Sequence, residues 1–164
     1  MKFKLAVIVA ASAFAFNAQA TITDWGMHDP LEVAAVITPV GAFEDFFRFN
    51  LPVDVSLFST AVSNNLTNVL GLTGGNIGLY KEAGVVDVAM GSFAFTDTTG
   101  SISHSFGALA DGDYYYLVSG TGTGTAGGFY TISSVATPVP EPETFALMLA
   151  GLGAMGFVAR RRRQ

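Results

Sequence analysis

Short runs in which apolar and polar residues alternate occupy the middle of the chain. From Phe43 to Asn50 most odd positions are aromatic and most even positions are polar, which is the period of a half-buried strand. Pro52 forces a turn, and the alternation resumes from Val53 to Leu57. Further strands are predicted at Val33–Ile37, Asn76–Glu82, Val85–Met90, Phe93–Thr96, Ile102–Phe106, Tyr114–Ser119 and Phe129–Val135.

Clusters of turn-forming residues separate these runs. They lie at Asn64-Asn65, Thr73–Gly75, Thr98–Gly100 and Asp111–Asp113. Only Ser59–Leu72 is compatible with a short helical turn. Many short strands at regular spacing predict an all-β domain, an antiparallel β-sandwich of jelly-roll type, over residues 21–137.

The N-terminus has the three parts of a secretory signal peptide. Basic residues Lys2 and Lys4 precede an apolar run from Leu5 to Phe16, and Ala18 and Ala20 form a small-residue cleavage site. About a dozen apolar residues fall short of the roughly 20 that cross a bilayer. Residues 1–20 are therefore predicted to be removed by signal peptidase, with Thr21 as the new terminus.

The composition changes abruptly after residue 137. Pro138–Glu143 is a proline-rich spacer that disfavours helix, so we expect a helix only after it, with Thr144 as its N-cap. Phe145–Ala159 is apolar and gives roughly 22 Å of helix, somewhat less than the roughly 30 Å hydrocarbon core. The chain closes with a basic cluster of Arg160, Arg161, Arg162 and Arg163. These arginines resist translocation, so the segment predicts a single hydrophobic transmembrane helix that holds the chain in the inner membrane.

A Pro-Glu-Pro segment, an apolar helix and a terminal arginine cluster, in that order, resemble the PEP-CTERM sorting tail of Gram-negative bacteria. The resemblance covers residues 138–164 and implies recognition by a membrane-embedded exosortase at Pro140, Glu141 and Pro142. It also implies an exported protein that is transiently anchored in the inner membrane and then reaches the outer envelope or the extracellular space. Such proteins often belong to species that make exopolysaccharide. A plain single-pass anchor is the alternative.

Phe43, Asp45 and Phe47 match the pattern Phe-x-Asp-x-Phe. With this motif the domain resembles the FxDxF-type subfamily of PEP-CTERM proteins, which implies a fold but no activity. The later segments Gly112–Gly120 and Gly127–Tyr130 are similar to the last two strands of pre-peptidase C-terminal β-sandwich modules.

Charge and cysteine content exclude several functions. Residues 21–137 carry two bases and eleven acids, for a net charge of about −9. A surface this acidic repels phosphate backbones, so nucleic acid is not an expected partner. Because the chain has no cysteine, disulfides, thiolate nucleophiles and sulfur-ligated metals are excluded.

Asp45 is the candidate residue whose chemistry most needs an explanation, since it shares the apolar face of its strand and burying an unpaired carboxylate is costly. A structural role is expected, in which it accepts backbone N–H groups or pairs with Arg48 or Lys81. The alternative is an oxygen-ligated calcium ion, which draws on the acid-rich turns at Asp97, Asp111 and Asp113.

No catalytic, cofactor or metal site is predicted. Gly122–Gly127 matches G-x-G-x-x-G, but a strand follows it instead of a helix, so it is interpreted as a flexible hairpin loop. His28 and His104 are the only histidines, and the chain lacks the G-x-S-x-G motif of serine hydrolases.

The sequence therefore predicts a non-enzymatic envelope or biofilm-matrix protein with a structural or adhesive role. The runner-up is a carbohydrate-binding module for the cell's own exopolysaccharide. Its basis is the run Tyr114-Tyr115-Tyr116, which on a regular strand must point at least one tyrosine away from the core, where it can stack on sugar rings.

Overall fold

The computed structural model describes residues 19–139 and 142–161. Within them the chain forms nine strands followed by one helix: β1 Gln19–Met27, β2 Leu31–Thr38, β3 Gly41–Leu51, β4 Val55–Ser63, β5 Leu72–Lys81, β6 Val88–Phe95, β7 Ser101–Leu109, β8 Gly112–Gly122, β9 Gly128–Pro138 and α1 Pro142–Arg161. The predicted all-β class is confirmed.

The strands form two sheets that pack face to face as a sandwich. One has five strands in the order β1-β3-β8-β5-β6, and the other has four in the order β2-β9-β4-β7. All neighbours pair antiparallel except β1 and β3, which pair parallel from Gln19↔Phe43 to Met27↔Asn50. The prediction of a purely antiparallel sandwich is therefore wrong at β1. No strand was predicted there, because Gln19 and Ala20 belong to the predicted signal peptide and the residues after them lack a regular period.

The core consists of the inward side chains of both sheets. In β3 every second residue from Phe43 to Leu51 is buried and the residues between them are exposed or half-buried, as the alternation predicts. Aromatic rings fill much of the space, and Phe43 stacks on Tyr130 of the other sheet with ring centroids 5.7 Å apart. Burying such rings is a main source of stability in a chain without disulfides.

Two expected elements differ in the structure. Residues 88–90 of the predicted strand Val85–Met90 and residues 93–95 of the predicted strand Phe93–Thr96 belong to the single strand β6, while residues 85–87 and Thr96 lie outside it. The register of β6 shifts opposite Leu79 and Tyr80. Gly91 lies at this irregularity with φ +151°, a conformation that glycine adopts without strain. The expected helical turn within Ser59–Leu72 is wrong, because β4 continues to Ser63 and a tight turn with left-handed Thr67 and Asn68 follows.

The glycine-rich segment between β8 and β9 crosses from one sheet to the other. It is not a hairpin between paired strands, although Gly124 and Gly127 form an isolated bridge. Gly127 has φ +99°, and a Cβ there would clash with the Thr38 carbonyl. Glycine is therefore required here for close packing of the backbone.

Helix α1 begins at Pro142, which corrects the expectation that it starts after Thr144. Proline suits a first helical position, because its φ is already helical and the N–H that it lacks would have no partner there. Arg160 and Arg161 lie in the last turn of α1. Within the described residues, no helix combines the length and the apolarity needed to cross a membrane.

Candidate functional site

The Phe-x-Asp-x-Phe motif lies in the interior. Phe43, Asp45 and Phe47 are 1%, 4% and 1% exposed, and β3 directs all three side chains at the opposite sheet. The hydroxyl of Tyr130 in β9 donates a hydrogen bond of 2.7 Å to Oδ2 of Asp45. The motif therefore joins the two sheets through one charged hydrogen bond.

This bond gives Asp45 a structural role with a partner that was not predicted. The sequence suggested backbone N–H groups, Arg48 or Lys81 as partners of Asp45. Arg48 instead faces outward, where its Nε lies 3.6 Å from Oε1 of Glu82. Burial, reinforced by the Asp45 carboxylate, raises the pKa of Tyr130 far above its ordinary value, so the phenol stays protonated and can donate. Tyr130 lies 85 residues away along the chain, and no local signal identifies it.

A second buried polar group connects His28, Ser134 and Tyr116. Nε2 of His28 lies 2.8 Å from Oγ of Ser134, and the Tyr116 hydroxyl lies 2.9 Å from the same oxygen. Nδ1 of His28 contacts the carbonyl oxygen of Asp29, which can only accept. We therefore assign the proton to Nδ1, with Ser134 donating to Nε2 and Tyr116 donating to Ser134.

Burial lowers the pKa of His28, although the Asp29 carbonyl and nearby acids oppose the shift. Burial also raises the pKa of Tyr116, and its bond to Ser134 offsets part of that rise. The Ser–His pair has the contact of a hydrolase nucleophile and its base. However, Ser134 is 0% exposed and the outer nitrogen of His28 meets a backbone carbonyl, so no substrate can reach the hydroxyl in this conformation.

The acid-rich turns have separate contacts. Asp97 accepts from the Asn65 amide and the Leu72 N–H, while Asp113 accepts from the Asn50 amide. The Asp111 carbonyl accepts from Lys81 Nζ. In the part of the chain that the structure describes, no group of three acidic or histidine side chains is placed to hold a metal ion.

Tyr115 points outward, while Tyr114 and Tyr116 are buried. On the outer face of the five-stranded sheet Tyr115 stacks on Tyr80, with ring centroids 5.2 Å apart and planes within 11°. Phe46 lies 5.8 Å from the Tyr115 ring on its other side. We call these three half-buried side chains, from three adjacent strands, the aromatic strip.

Polar groups border the aromatic strip. The Tyr115 hydroxyl donates to Asp87 over 2.9 Å, and burial followed by this bond raises the pKa of Tyr115 to about 12. Arg48 is the register partner of Tyr115 and also lines an open cleft of about 300 Å³. The other residues that line this cleft are Asp24, Gly26, Phe49, Asn50, Glu82, Asp113 and Tyr114.

The predicted processing residues are only partly described. Ala20 lies in β1, Pro142 begins α1, and Arg160 and Arg161 end it. The remaining predicted processing residues, Ala18, Pro140, Glu141, Arg162 and Arg163, lie outside the described residues.

Comparisons with known protein families identify the C-terminal tail. The family described as the PEP-CTERM protein-sorting motif matches residues 138–163. No curated protein matches the chain.

Two solved structures are similar to it at low identity. The pre-peptidase C-terminal domain of collagenase from Bacillus anthracis shares 14% identity, with a TM-score of 0.45 over 74% of this chain and 99% of that domain. PliG, a periplasmic inhibitor of g-type lysozyme from Aeromonas hydrophila, also shares 14% identity, with a TM-score of 0.37 over 72% of this chain and 99% of the inhibitor.

The tail thus has its predicted order of spacer, apolar helix and basic end, and it matches the sorting motif over nearly its whole length. This motif implies export, processing by an exosortase and a transient membrane anchor. Residues 138–163 are therefore a PEP-CTERM protein-sorting motif, which implies an exported protein sorted by an exosortase.

Proposed function

We propose that this protein is a non-enzymatic component of the cell envelope or extracellular matrix with a structural or adhesive role. The main support for this proposal is that the side chains most suited to catalysis are buried inside the sandwich and hydrogen-bonded to one another. Asp45 and Tyr130 join the sheets, and His28, Ser134 and Tyr116 bond to one another. Polar groups with these contacts stabilise the fold, and the outer surfaces are left for interaction.

We also propose that the domain belongs to the FxDxF-type subfamily of PEP-CTERM proteins. The motif residues Phe43, Asp45 and Phe47 all point at the opposite sheet, and both Phe43 and Asp45 contact Tyr130. A motif of this kind serves a shared fold and requires no shared activity.

The test compares a strain that lacks the protein with strains that express the wild type or a form without residues 138–164. We expect wild-type protein in the envelope or medium, together with restored cell aggregation or matrix cohesion, and neither with the truncated form. Labelling of the folded protein by a fluorophosphonate, which reacts with accessible catalytic serines, would contradict the non-enzymatic proposal.

A carbohydrate-binding role is a second candidate, and the aromatic strip favours it. Sugar rings stack on aromatic faces, and carboxylate, amide and guanidinium groups accept or donate hydrogen bonds to their hydroxyls. The aromatic strip offers the aromatic faces, and the adjoining cleft offers the carboxylate, amide and guanidinium groups. Because the surrounding groups are mostly acidic, the ligand would be a neutral or basic polysaccharide.

Affinity electrophoresis of the processed protein in gels that contain the host's exopolysaccharide tests this candidate. We expect retardation of the wild type and its loss in Tyr80→Ala and Tyr115→Ala. Phe58→Ala removes an exposed ring from the opposite face and serves as the matched control. Equal mobility of the wild type with and without polysaccharide would exclude this candidate.

A further inference from the structure

The outer face of the four-stranded sheet, which we call the neutral face, carries no ionisable side chain. Its four strands lie wholly within the described residues and contain three ionisable side chains, Glu32, His104 and Tyr130, all in inward register. His104 stacks on Phe93 of the opposite sheet, and Glu32 accepts from the N–H of Asp29 at the sheet edge. The neutral face thus contrasts with a domain whose net charge is about −9.

Large apolar side chains are exposed on the neutral face. Leu31, Val135 and Phe58 form a row across β2, β9 and β4, because Val135 is the register partner of both others. They are 57%, 41% and 50% exposed, and Val33 and Ile37 on the same face are 56% and 69% exposed. Many of the other outward positions are hydroxyl residues, among them Thr60 and Ser103, which bond to each other over 2.8 Å. Contiguous exposed apolar surface of this kind marks an interaction site.

We infer that the neutral face binds the same face of a second copy of this chain. Contact between the charged surfaces of two copies brings acidic groups together, and like charges repel, whereas contact between two neutral faces avoids this repulsion. The other outer sheet face carries charged side chains such as Glu44 and Arg48, so a charged partner would favour that face instead. An uncharged apolar sheet is complementary to itself, since two such sheets pack about 10 Å apart with interdigitating side chains.

The size of the neutral face predicts a weak dimer. Four strands about 4.8 Å apart and about eight residues long cover about 500 Å² on each copy. Two copies would bury about 1,000 Å², which is near the lower end for specific complexes. We therefore expect dimers only at high local concentration, as on a cell surface or in a matrix. The inference rests on the proposed structural role for its biological meaning, but its test is independent of that role.

Sedimentation velocity on the protein recovered from an exosortase-containing host provides the first test. The dimer fraction of the wild type should rise with protein concentration and with added salt, because salt screens the repulsion between the acidic domains. Val33→Glu with Val135→Glu should weaken dimerisation at least tenfold, whereas Val135→Thr should retain it. Val85→Glu with Val86→Glu adds the same charge in an exposed loop, and its dimer dissociation constant should stay within twofold of the wild-type value.

Single cysteines give a second test that adds no charge to the face. Because the chain has no cysteine, Ser133→Cys on β9 reports only on its own surroundings. A short thiol cross-linker should join two copies of Ser133→Cys and leave Ser119→Cys, on the other outer face, as monomer. The inference is overturned if the wild type stays monomeric at high concentration, if added salt dissociates the dimer, or if both cysteine variants cross-link alike. None of these outcomes would alter the result of the polysaccharide or localisation tests.

Discussion

Asp45 joins the two sheets by a specific bond in addition to apolar packing, as Tyr116 does through Ser134. A carboxylate among phenylalanines is costly to bury, and the Tyr130 hydroxyl supplies a hydrogen bond that offsets part of that cost. The bond also fixes which residue of β9 faces which residue of β3.

Tyr130→Phe should lower the free energy of unfolding by roughly 1.5–3 kcal/mol, because it leaves the buried carboxylate without this donor. Tyr115→Phe is the matched control, since it also removes a tyrosine hydroxyl bonded to a carboxylate but at a more accessible site where water can replace the bond. Urea unfolding measures both values. Equal losses for the two variants would show that burial of the Asp45 bond contributes nothing.

His28 should make stability depend on pH. Its pKa is lowered in the folded protein, so the unfolded chain binds the proton more readily. The contribution of His28 is therefore fully present above the unfolded pKa of about 6.5 and is lost as pH falls below it, by at most about 1.4 kcal/mol per pH unit.

Urea unfolding at pH 7.5 and pH 5.5 measures this effect. His28→Gln removes the titrating group and should flatten the dependence over this range. A wild-type protein that is equally stable at both pH values, or a variant with the same slope as the wild type, would refute the prediction.

The sequence predicted which way side chains point better than what they touch. Alternation correctly placed Asp45 on the apolar face of its strand, because a strand has a period of two, but it left open which tyrosine of residues 114–116 points outward. The partners Tyr130 and Ser134 could not be predicted, since contacts between sheets depend on how distant strands are stacked. The Ser134–His28 contact joins residues 106 positions apart.

At the scale of elements, glycine positions explain two of the differences between prediction and structure. Gly91 lets β6 continue through an irregularity where the sequence suggested two strands. Gly127 turns an expected flexible loop into a close crossing between the sheets. Both effects depend on backbone contacts that composition does not reveal.

Gly127→Ala should destabilise the fold by roughly 2–5 kcal/mol, because left-handed strain adds to a clash with the Thr38 carbonyl. Gly100→Ala is the matched control. It also has positive φ, but an added Cβ meets open space, so only the strain of about 1–2 kcal/mol is expected. Thermal or urea unfolding of the two variants separates the clash from the strain, and a similar loss in both would exclude the clash.

For the whole molecule, the sorting motif predicts that the tail determines where the domain is delivered. We expect Pro140, Glu141 and Pro142, replaced together by alanine, to leave uncut protein in the inner membrane. Deleting Arg160–Arg163 should instead let unprocessed protein pass through the membrane, because the basic cluster no longer resists translocation. Fractionation and intact mass in an exosortase-containing host provide the measurement. Wild-type protein that keeps residues 145–164 and stays in the inner membrane would support the plain anchor instead.

The parallel pairing of β1 with β3 has a consequence for the order of events during export. The predicted cleavage point, between Ala20 and Thr21, lies inside β1, where these residues pair with Glu44 and Asp45. A peptidase must take an extended, unpaired segment into its active site, so docking of β1 would shield the bond. The predicted cleavage would therefore have to precede completion of the sheet, and most of the β1 pairing, from Thr21↔Asp45 onward, would remain available to the shortened chain.

This order can be measured with purified signal peptidase. Precursor diluted from urea directly into the enzyme should yield a chain that begins at Thr21, whereas precursor folded beforehand should resist cutting for as long as it stays folded. Bulky residues in place of Ala18 and Ala20 should block both reactions. If the folded precursor is cut as fast as the unfolded one, β1 does not protect the bond. If the folded precursor is protected, the relative rates of folding and cleavage determine what fraction of the protein loses its signal peptide.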